Sequence, residues 1–295
     1  MKVLLLGKNG QVGWELQRSL ASLGDLIALD RNSVDHCGDL SNLIGLSETI
    51  IKVKPDVIIN AAAYTAVDKA ESESATANLI NAHAPEVMAN AAEKINALLV
   101  HYSTDYVFNG TEGLPWQECD QVNPINTYGK SKMLGERSII DSGCRYIIFR
   151  TSWVYAARGN NFIKTMLRLA KEKDELKIIN DQYGAPTGAE LIADVTAHVL
   201  GRSNKITDGI YHLAASGETS WYEYAQFIFE LARKQGEHLK LEPHTVTPVL
   251  TEQFITPAKR PLNSKLNCTK LKEQFSLFLP DWRLGVERTL MEILG

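Results

Sequence analysis

Lys2-Val3-Leu4-Leu5-Leu6 is a short, unbroken apolar run that ends in Gly7-Lys8-Asn9-Gly10-Gln11-Val12-Gly13. Such a run suits a parallel strand buried on both faces. Val12, Leu16, Leu20 and Leu23 then recur at helical spacing, so the chain opens as strand, glycine turn, helix. That order makes a nucleotide cradle. Gly7 permits the tight turn, Gly10 lets a pyrophosphate approach the backbone at the helix N-terminus, and Gly13 lets the helix pack closely on the strand. The spacing is Gly-x-x-Gly-x-x-Gly, a variant of the commoner Gly-x-Gly-x-x-Gly, and plain turn glycines would also produce it.

Further strands follow at the spacing of a wound α/β sheet. Leu26 to Asp30 ends in an acid about 20 residues beyond the glycines, where an adenosine ribose is expected. Its carboxylate suits the 2′-hydroxyl of NADH, whereas the adjacent Arg31 suits the 2′-phosphate of NADPH, so both cofactors stay open. Asp39-Leu40 is placed to border the adenine, or is an ordinary loop. Pro55 to Asn60 is another buried-strand pattern and runs into Ala61-Ala62-Ala63-Tyr64-Thr65, whose small side chains let a ligand lie against the backbone. From there to about Lys94 the alanine-rich segment reads as helical, with Asp68, Glu71 and Glu73 on a solvated face.

Ala97 to Thr104 predicts the next strand, with Thr104-Asp105 at its carboxyl end. A hydroxyl there can donate to a carbonyl oxygen and steady the negative charge that grows as hydride reaches carbon. Tyr128 and Lys132 stand four apart, on one face of a helix, where a lysine cation brings a phenol toward working range as an acid. The two ends of this chemistry can meet at one strand end.

Composition narrows the alternatives. The net charge of -4 offers no general attraction to nucleic acid or an anionic membrane. Cys37, Cys119, Cys144 and Cys268 form no Cys-x-x-Cys pair, which argues against a zinc site and a disulfide framework and makes a reduced cytoplasm the simplest setting. Met1 to Gly7 is too short for a signal-peptide core, and no apolar run approaches membrane-spanning length.

Gly7 to Leu16, Ala61 to Glu71, Ser103-Thr104-Asp105-Tyr106-Val107-Phe108, Tyr128 to Lys132, Arg150 to Tyr155, Asn180 to Thr187, and Arg260-Pro261 with Ser264 together resemble the extended short-chain dehydrogenase/reductase family. The resemblance runs through nearly the whole chain. It implies an α/β fold, a Rossmann-type doubly wound parallel sheet with a smaller interleaved C-terminal substrate lobe. Residues 1–155 are expected to form the dinucleotide-binding domain and 156–295 mainly the substrate lobe, with the strand near 176–181 returning to the sheet.

The resemblance also implies that Tyr128 donates a proton, Lys132 lowers its pKa and holds the nicotinamide ribose, and Thr104 orients a substrate carbonyl. Cofactor contacts would come from Gly7, Gly10, Gln11, Val12, Gly13, Asp30, Arg31, Asp39, Leu40, Ala62, Ala63, Tyr64 and Thr65, besides Tyr128 and Lys132. The implied substrate is a dTDP-4-ketosugar, dTDP-4-dehydro-6-deoxy-L-mannose, reduced to dTDP-L-rhamnose and contacted by Thr104, Asp105, Tyr128, Trp153 and Arg260. Trp153 either walls the sugar or fills the core; Arg260 either meets the pyrophosphate or is solvated. Related dehydratases carry Glu where this chain has Tyr106, which disfavours elimination. Glu15, Glu190 and Glu292 read as surface acids, to which the resemblance adds a homodimer with Mg²⁺ bound there. A regulatory subunit that keeps the reductase fold without turning over, as the methionine adenosyltransferase beta subunit does, and an epimerase remain as alternatives.

Overall fold

The computed structural model describes residues 1–111, 113–202 and 207–295. The chain runs β1 (Lys2–Leu6), α1 (Gln11–Leu20), β2 (Asp25–Leu29), α2 (Leu43–Val53), β3 (Val57–Asn60), α3 (Val67–Ala70), α4 (Ser74–Asn78), a π-helical turn Leu79–His83, α5 (Ala84–Ile95), β4 (Leu98–Thr104), α6 (Thr127–Asp141), β5 (Arg145–Thr151), β6 (Val154–Tyr155) and α7 (Phe162–Glu172). It continues through β7 (Leu176–Ile179), β8 (Tyr183–Gly184), β9 (Thr187–Gly188), α8 (Ala189–Leu200), β10 (Gly209–His212), β11 (Thr219–Ser220), α9 (Trp221–Lys234), β12 (Val246–Val249), α10 (Thr269–Phe275) and α11 (Trp282–Leu294).

Six parallel strands form the central sheet in the order β10-β5-β4-β3-β1-β2. The unbroken apolar runs are explained by two covered faces. Val3 and Leu5 point into one core, with Leu16 and Leu20 of α1 and Ile192 and Val199 of α8. Leu4 and Leu6 point into the other, with Leu46 and Ile50 of α2, Met88 of α5 and Ile139 of α6. Each strand thus feeds both layers by simple alternation.

The strand near 176–181 does not return to this sheet. Leu176–Ile179 pairs in parallel with Val246–Val249 as a two-stranded ribbon, and Gly209–His212 takes the sixth place beside β5. Burial explains the difference: Lys177 is exposed and only Ile178 is deeply buried in β7, whereas Tyr211 and His212 of β10 are both enclosed. Ile178 instead joins a second core with Met166, Tyr224, Phe229, Trp282 and Val286, contributed mainly by α7, α9 and α11. Ser220 caps α9 with a reciprocal capping box to Glu223. Among the described residues no helix is long and apolar enough to cross a membrane.

One buried ion pair ties α6 to the sheet. Arg150 of β5 donates from both Nε (2.9 Å) and a terminal nitrogen (2.6 Å) to the Glu136 carboxylate, with both side chains almost fully enclosed. Removing one partner strands the other charge. Arg150→Met is expected to lower the unfolding free energy by about 3–5 kcal/mol, and Arg150→Met with Glu136→Leu to recover most of it, as read by denaturant unfolding. A double variant no more stable than the single one would show that the pair does not set the cost.

Candidate active site

The carboxyl ends of β1, β3, β4 and β5 open onto a cleft of about 670 Å³. At one end lies the glycine turn. Gly7 has φ +89°, a left-handed value, and a Cβ there would sit 2.8 Å from the Ala62 nitrogen. A Cβ on Gly13 would fall 2.0 Å from the Gly7 carbonyl oxygen, so α1 lies against the turn only because both residues are glycine. Gly10 is the N-cap of α1 and no side chain caps that end, which leaves its backbone N–H donors for an anion. These features fit a dinucleotide pyrophosphate. Gln11, whose Oε1 accepts from Asn161 at 3.0 Å, Val12, Ala62, Ala63 and Thr65 line the same cleft.

The other expected cofactor residues stand around this end rather than in the cleft wall. The Asp30 carboxylate accepts from Asn9 and from the Asn32 backbone, Arg31 is exposed beside it, and Asp39 accepts from the Ser41 backbone. Leu40 is core, packed with Leu29 and Leu46. The Tyr64 hydroxyl donates to Glu73 at 2.7 Å.

The chemical end is built by two elements. Asn126 caps α6 by accepting from the Gly129 N–H at 2.8 Å, and Gly129 lies where a Cβ would be 2.1 Å from the Tyr106 carbonyl oxygen. This contact presses the first turn of α6 onto the end of β4, bringing Tyr128 beside Thr104 on the cleft wall. Tyr106 stands edge-on to Tyr128, ring centroids 5.8 Å apart. Thr104 in turn donates to Asp105 at 3.1 Å and accepts from the Tyr106 N–H.

Lys132 takes its hydrogen-bond partners from β4. Its nitrogen donates to the Tyr102 carbonyl at 2.6 Å and meets His101 Nε2 at 3.0 Å. Burial pushes the Tyr128 phenol up to about 12, against a lowering bond from Thr104, so the phenol keeps its proton. Burial likewise brings Lys132 down to about 8, opposed by the Glu136 charge.

Four buried oxygens at this end have no hydrogen-bond partner among the described residues: Ser103 Oγ, Asp105 Oδ2, Thr151 Oγ1 and Ser152 Oγ. All four residues line the cleft. Trp153 forms its far wall with φ +49°, its ring stacked on Trp221 at 3.6 Å and pressed against Gly184, where a Cβ would lie 2.7 Å away. It lines the cleft on one side and packs against the core of Ile163 and Tyr224 on the other.

Arg260 is neither solvated nor free. It makes a two-point bond to Asp68, 2.7 and 3.1 Å, and hydrogen-bonds with Tyr106. The acids read as a solvated face are therefore cross-links, since Glu71 accepts from the Thr127 backbone and hydroxyl and Glu73 from Tyr64. Asn81, to which the sequence reading gave no role, bridges Tyr64 and Ser131 from inside the π-helical turn. Glu15 pairs with Arg18 and Glu190 with Arg288. Among the described residues no three or more His, Cys, Asp or Glu side chains are grouped to hold a metal, while Glu190 lies close enough to Glu15 and Glu292 to feel both charges.

The model of the RmlD substrate binding domain family matches residues 1–294. The chain is 55% identical over 295 residues to dTDP-4-dehydrorhamnose reductase of Escherichia coli K12, covering 99% of this chain and 98% of that one. A dTDP-4-dehydrorhamnose reductase structure from Clostridium acetobutylicum superposes with TM-score 0.90 at 37% identity, covering all of both chains. One from Bacillus anthracis, in complex with NADP, gives 0.89 at 37% identity and covers 99% of this chain and 100% of that one.

Burial raises the Asp105 carboxyl from 3.8 to about 7, against lowering bonds from Ser264 and Thr104. The folded carboxyl binds its proton more tightly than the unfolded one, so its contribution to stability is full below about pH 4 and is lost as pH rises through about 7. Asp105→Asn, which cannot ionise, should lack that loss. The variant is expected to gain on the wild type by a few kcal/mol between about pH 4 and pH 8 in denaturant unfolding. A constant difference across that range would show a carboxyl that titrates as in water.

Proposed function

Because the chain belongs to the dTDP-4-dehydrorhamnose reductase family, we propose that it uses NADPH or NADH to reduce the C4 ketone of dTDP-4-dehydro-6-deoxy-L-mannose. The product is dTDP-L-rhamnose, and the step is the last in making this sugar donor for cell-surface polysaccharide. The observation that carries the assignment is the pairing of the Tyr128 phenol with Thr104 in a cleft that also holds an uncapped helix N-terminus.

The reduced nicotinamide, when bound, supplies the hydride. Tyr128, whose burial keeps it protonated, gives its proton to the ketone oxygen, and the Thr104 hydroxyl orients that oxygen and shares its growing charge. Lys132 holds the nicotinamide ribose from the buried face of α6. Asp105, Ser103, Thr151 and Ser152 offer their unpartnered oxygens to sugar hydroxyls, and Trp153 closes the far side. Gly10 at the start of α1 takes the cofactor pyrophosphate, while Asp30 and Arg31 meet the adenosine ribose. Arg260 meets the substrate pyrophosphate by exchanging part of its bond to Asp68. The first lobe holds the cofactor and the lobe of α7, α9 and α11 the sugar nucleotide. Exposed Leu284 and Met291 on α11 support a homodimer, and four free cysteines support the cytoplasm.

Mixing the protein with NADPH and the ketosugar should consume both in equal amounts, followed by loss of reduced-nicotinamide absorbance. An epimerase or a silent subunit would show no net consumption. Tyr128→Phe should lose about 10²- to 10⁴-fold in kcat while keeping NADPH affinity, and near-normal turnover in that variant would remove Tyr128 as the donor.

A further inference from the structure

His101 sits in the middle of β4, only 1% exposed, with a neighbour on each ring nitrogen. Nε2 lies 3.0 Å from the Lys132 nitrogen, and Nδ1 lies 3.0 Å from Nδ2 of Asn60, which is itself 1% exposed. The chain of contacts ends at a group whose role is fixed. The backbone N–H of Ala62 donates to Asn60 Oδ1 at 3.2 Å, and a backbone N–H can only donate. The amide of Asn60 therefore turns its NH₂ toward the ring, Nδ1 accepts, and a neutral imidazole with an accepting Nδ1 carries its hydrogen on Nε2. Burial and then the Lys132 charge hold the ring well below its usual range, so it is neutral.

That hydrogen points at Lys132. An ammonium has three donors and no acceptor and cannot receive it, whereas a neutral amine has a lone pair that can. We propose that His101, held in its Nε2–H tautomer by Asn60, is a positioning residue that favours the neutral amine of Lys132 and so sets the pH at which this lysine exchanges its proton. The proposal rests on the reductase assignment, because the exchange matters only beside the proton donor Tyr128.

The neutral amine spends one N–H on the Tyr102 carbonyl and its lone pair on His101, leaving one N–H for the cleft. Protonating it forces a choice. The ring must move its hydrogen to Nδ1 and Asn60 must turn over, giving up the Ala62 bond, or the His101 N–H must face an ammonium N–H. Either cost favours proton release. In turnover the Tyr128 O–H bond breaks as the product O–H forms; the phenolate takes a proton from the Lys132 ammonium, leaving the neutral amine, which takes up a proton from the solvent. A lysine at its ordinary value would keep its proton, while one near neutrality can pass it on.

Burial and the His101 contact act on Lys132 in the same direction, and the Glu136 charge opposes them. From α6 itself come Tyr128 and Glu136, whose charge acts on Lys132 and which is also held by its two-point bond to Arg150 of β5. From the end of β4 come Tyr102 and Asp105, the latter facing Tyr128. From β3 comes only the uncharged Asn60.

Nitrogen NMR of the imidazole in the wild-type protein should find the ring hydrogen on Nε2 above the alkaline limb of the kcat–pH profile. That limb reflects loss of the Lys132 proton. His101→Phe removes the donor and Asn60→Asp accepts from Nδ1–H, so each should move the limb up by about one pH unit or more, with the KM for ketosugar little changed. A hydrogen on Nδ1 in the wild type above the limb, or a limb at the same pH in both folded variants, overturns the proposal. The NMR arm needs neither a variant nor substrate. If wild-type turnover persists while the limb does not move, the tautomer proposal fails and the reductase assignment stands.

Discussion

Lys132 carries a nitrogen that is charged in water to a position 1% exposed, and an ion moved there without support costs several kcal/mol. The structure offsets this cost with the carbonyl of Tyr102, with the ring of His101, and by allowing the nitrogen to lose its proton. Each device needs α6 to lie very close to β4. That closeness comes from glycine, because a Cβ on Gly129 would strike the Tyr106 carbonyl and one on Gly135 would fall 2.1 Å from the Asn81 oxygen. The site is therefore a consequence of helix packing rather than of Tyr128 and Lys132 alone.

The π-helical turn Leu79–His83 belongs to the same packing problem. A wider turn shifts the register of the following helix, and here it leaves Asn81 facing inward with its side chain bonded to both backbone groups of Tyr64 and to Ser131 of α6. The loop after β3, the turn, and the catalytic helix become one body. The second-lobe segments join it through Asp68 with Arg260 and Gln11 with Asn161. A ligand lying across these joints closes both ends at once.

What could be read from the chain follows from how local its causes are. The strand, glycine turn and helix at residues 2–20 were legible because each glycine answers a contact within a few residues or with the adjacent strand end. Tyr128 and Lys132 were legible as one helix face, but not the partners of Lys132, which come from a different strand. His101 did leave a signal: an imidazole following Leu98-Leu99-Val100 in a strand buried along its whole length needs partners there. The sixth strand was misplaced because Leu176–Ile179 and Gly209–His212 are both short runs, and only the tertiary edge beside β5 chooses between them. Asp68 looked like a solvated acid because its partner, Arg260, is 192 residues away.

The unpartnered oxygens explain why such a site would prefer a sugar to a plain ketone. Ser103, Asp105, Thr151 and Ser152 each keep a polar atom out of water with no bond among the described residues, and every such atom costs about 1–3 kcal/mol until something pairs with it. A ligand with hydroxyls at the right places relieves that cost, while an apolar ketone of the same size leaves it in place. Discrimination is thus built into the unliganded protein. Trp153, held at a left-handed φ by its stack with Trp221 and its contact with Gly184, limits how far the ring can shift away from those oxygens. Tyr128, Trp153 and these oxygens line the same cleft, so orientation of the ketone and recognition of the sugar arise from one arrangement of side chains.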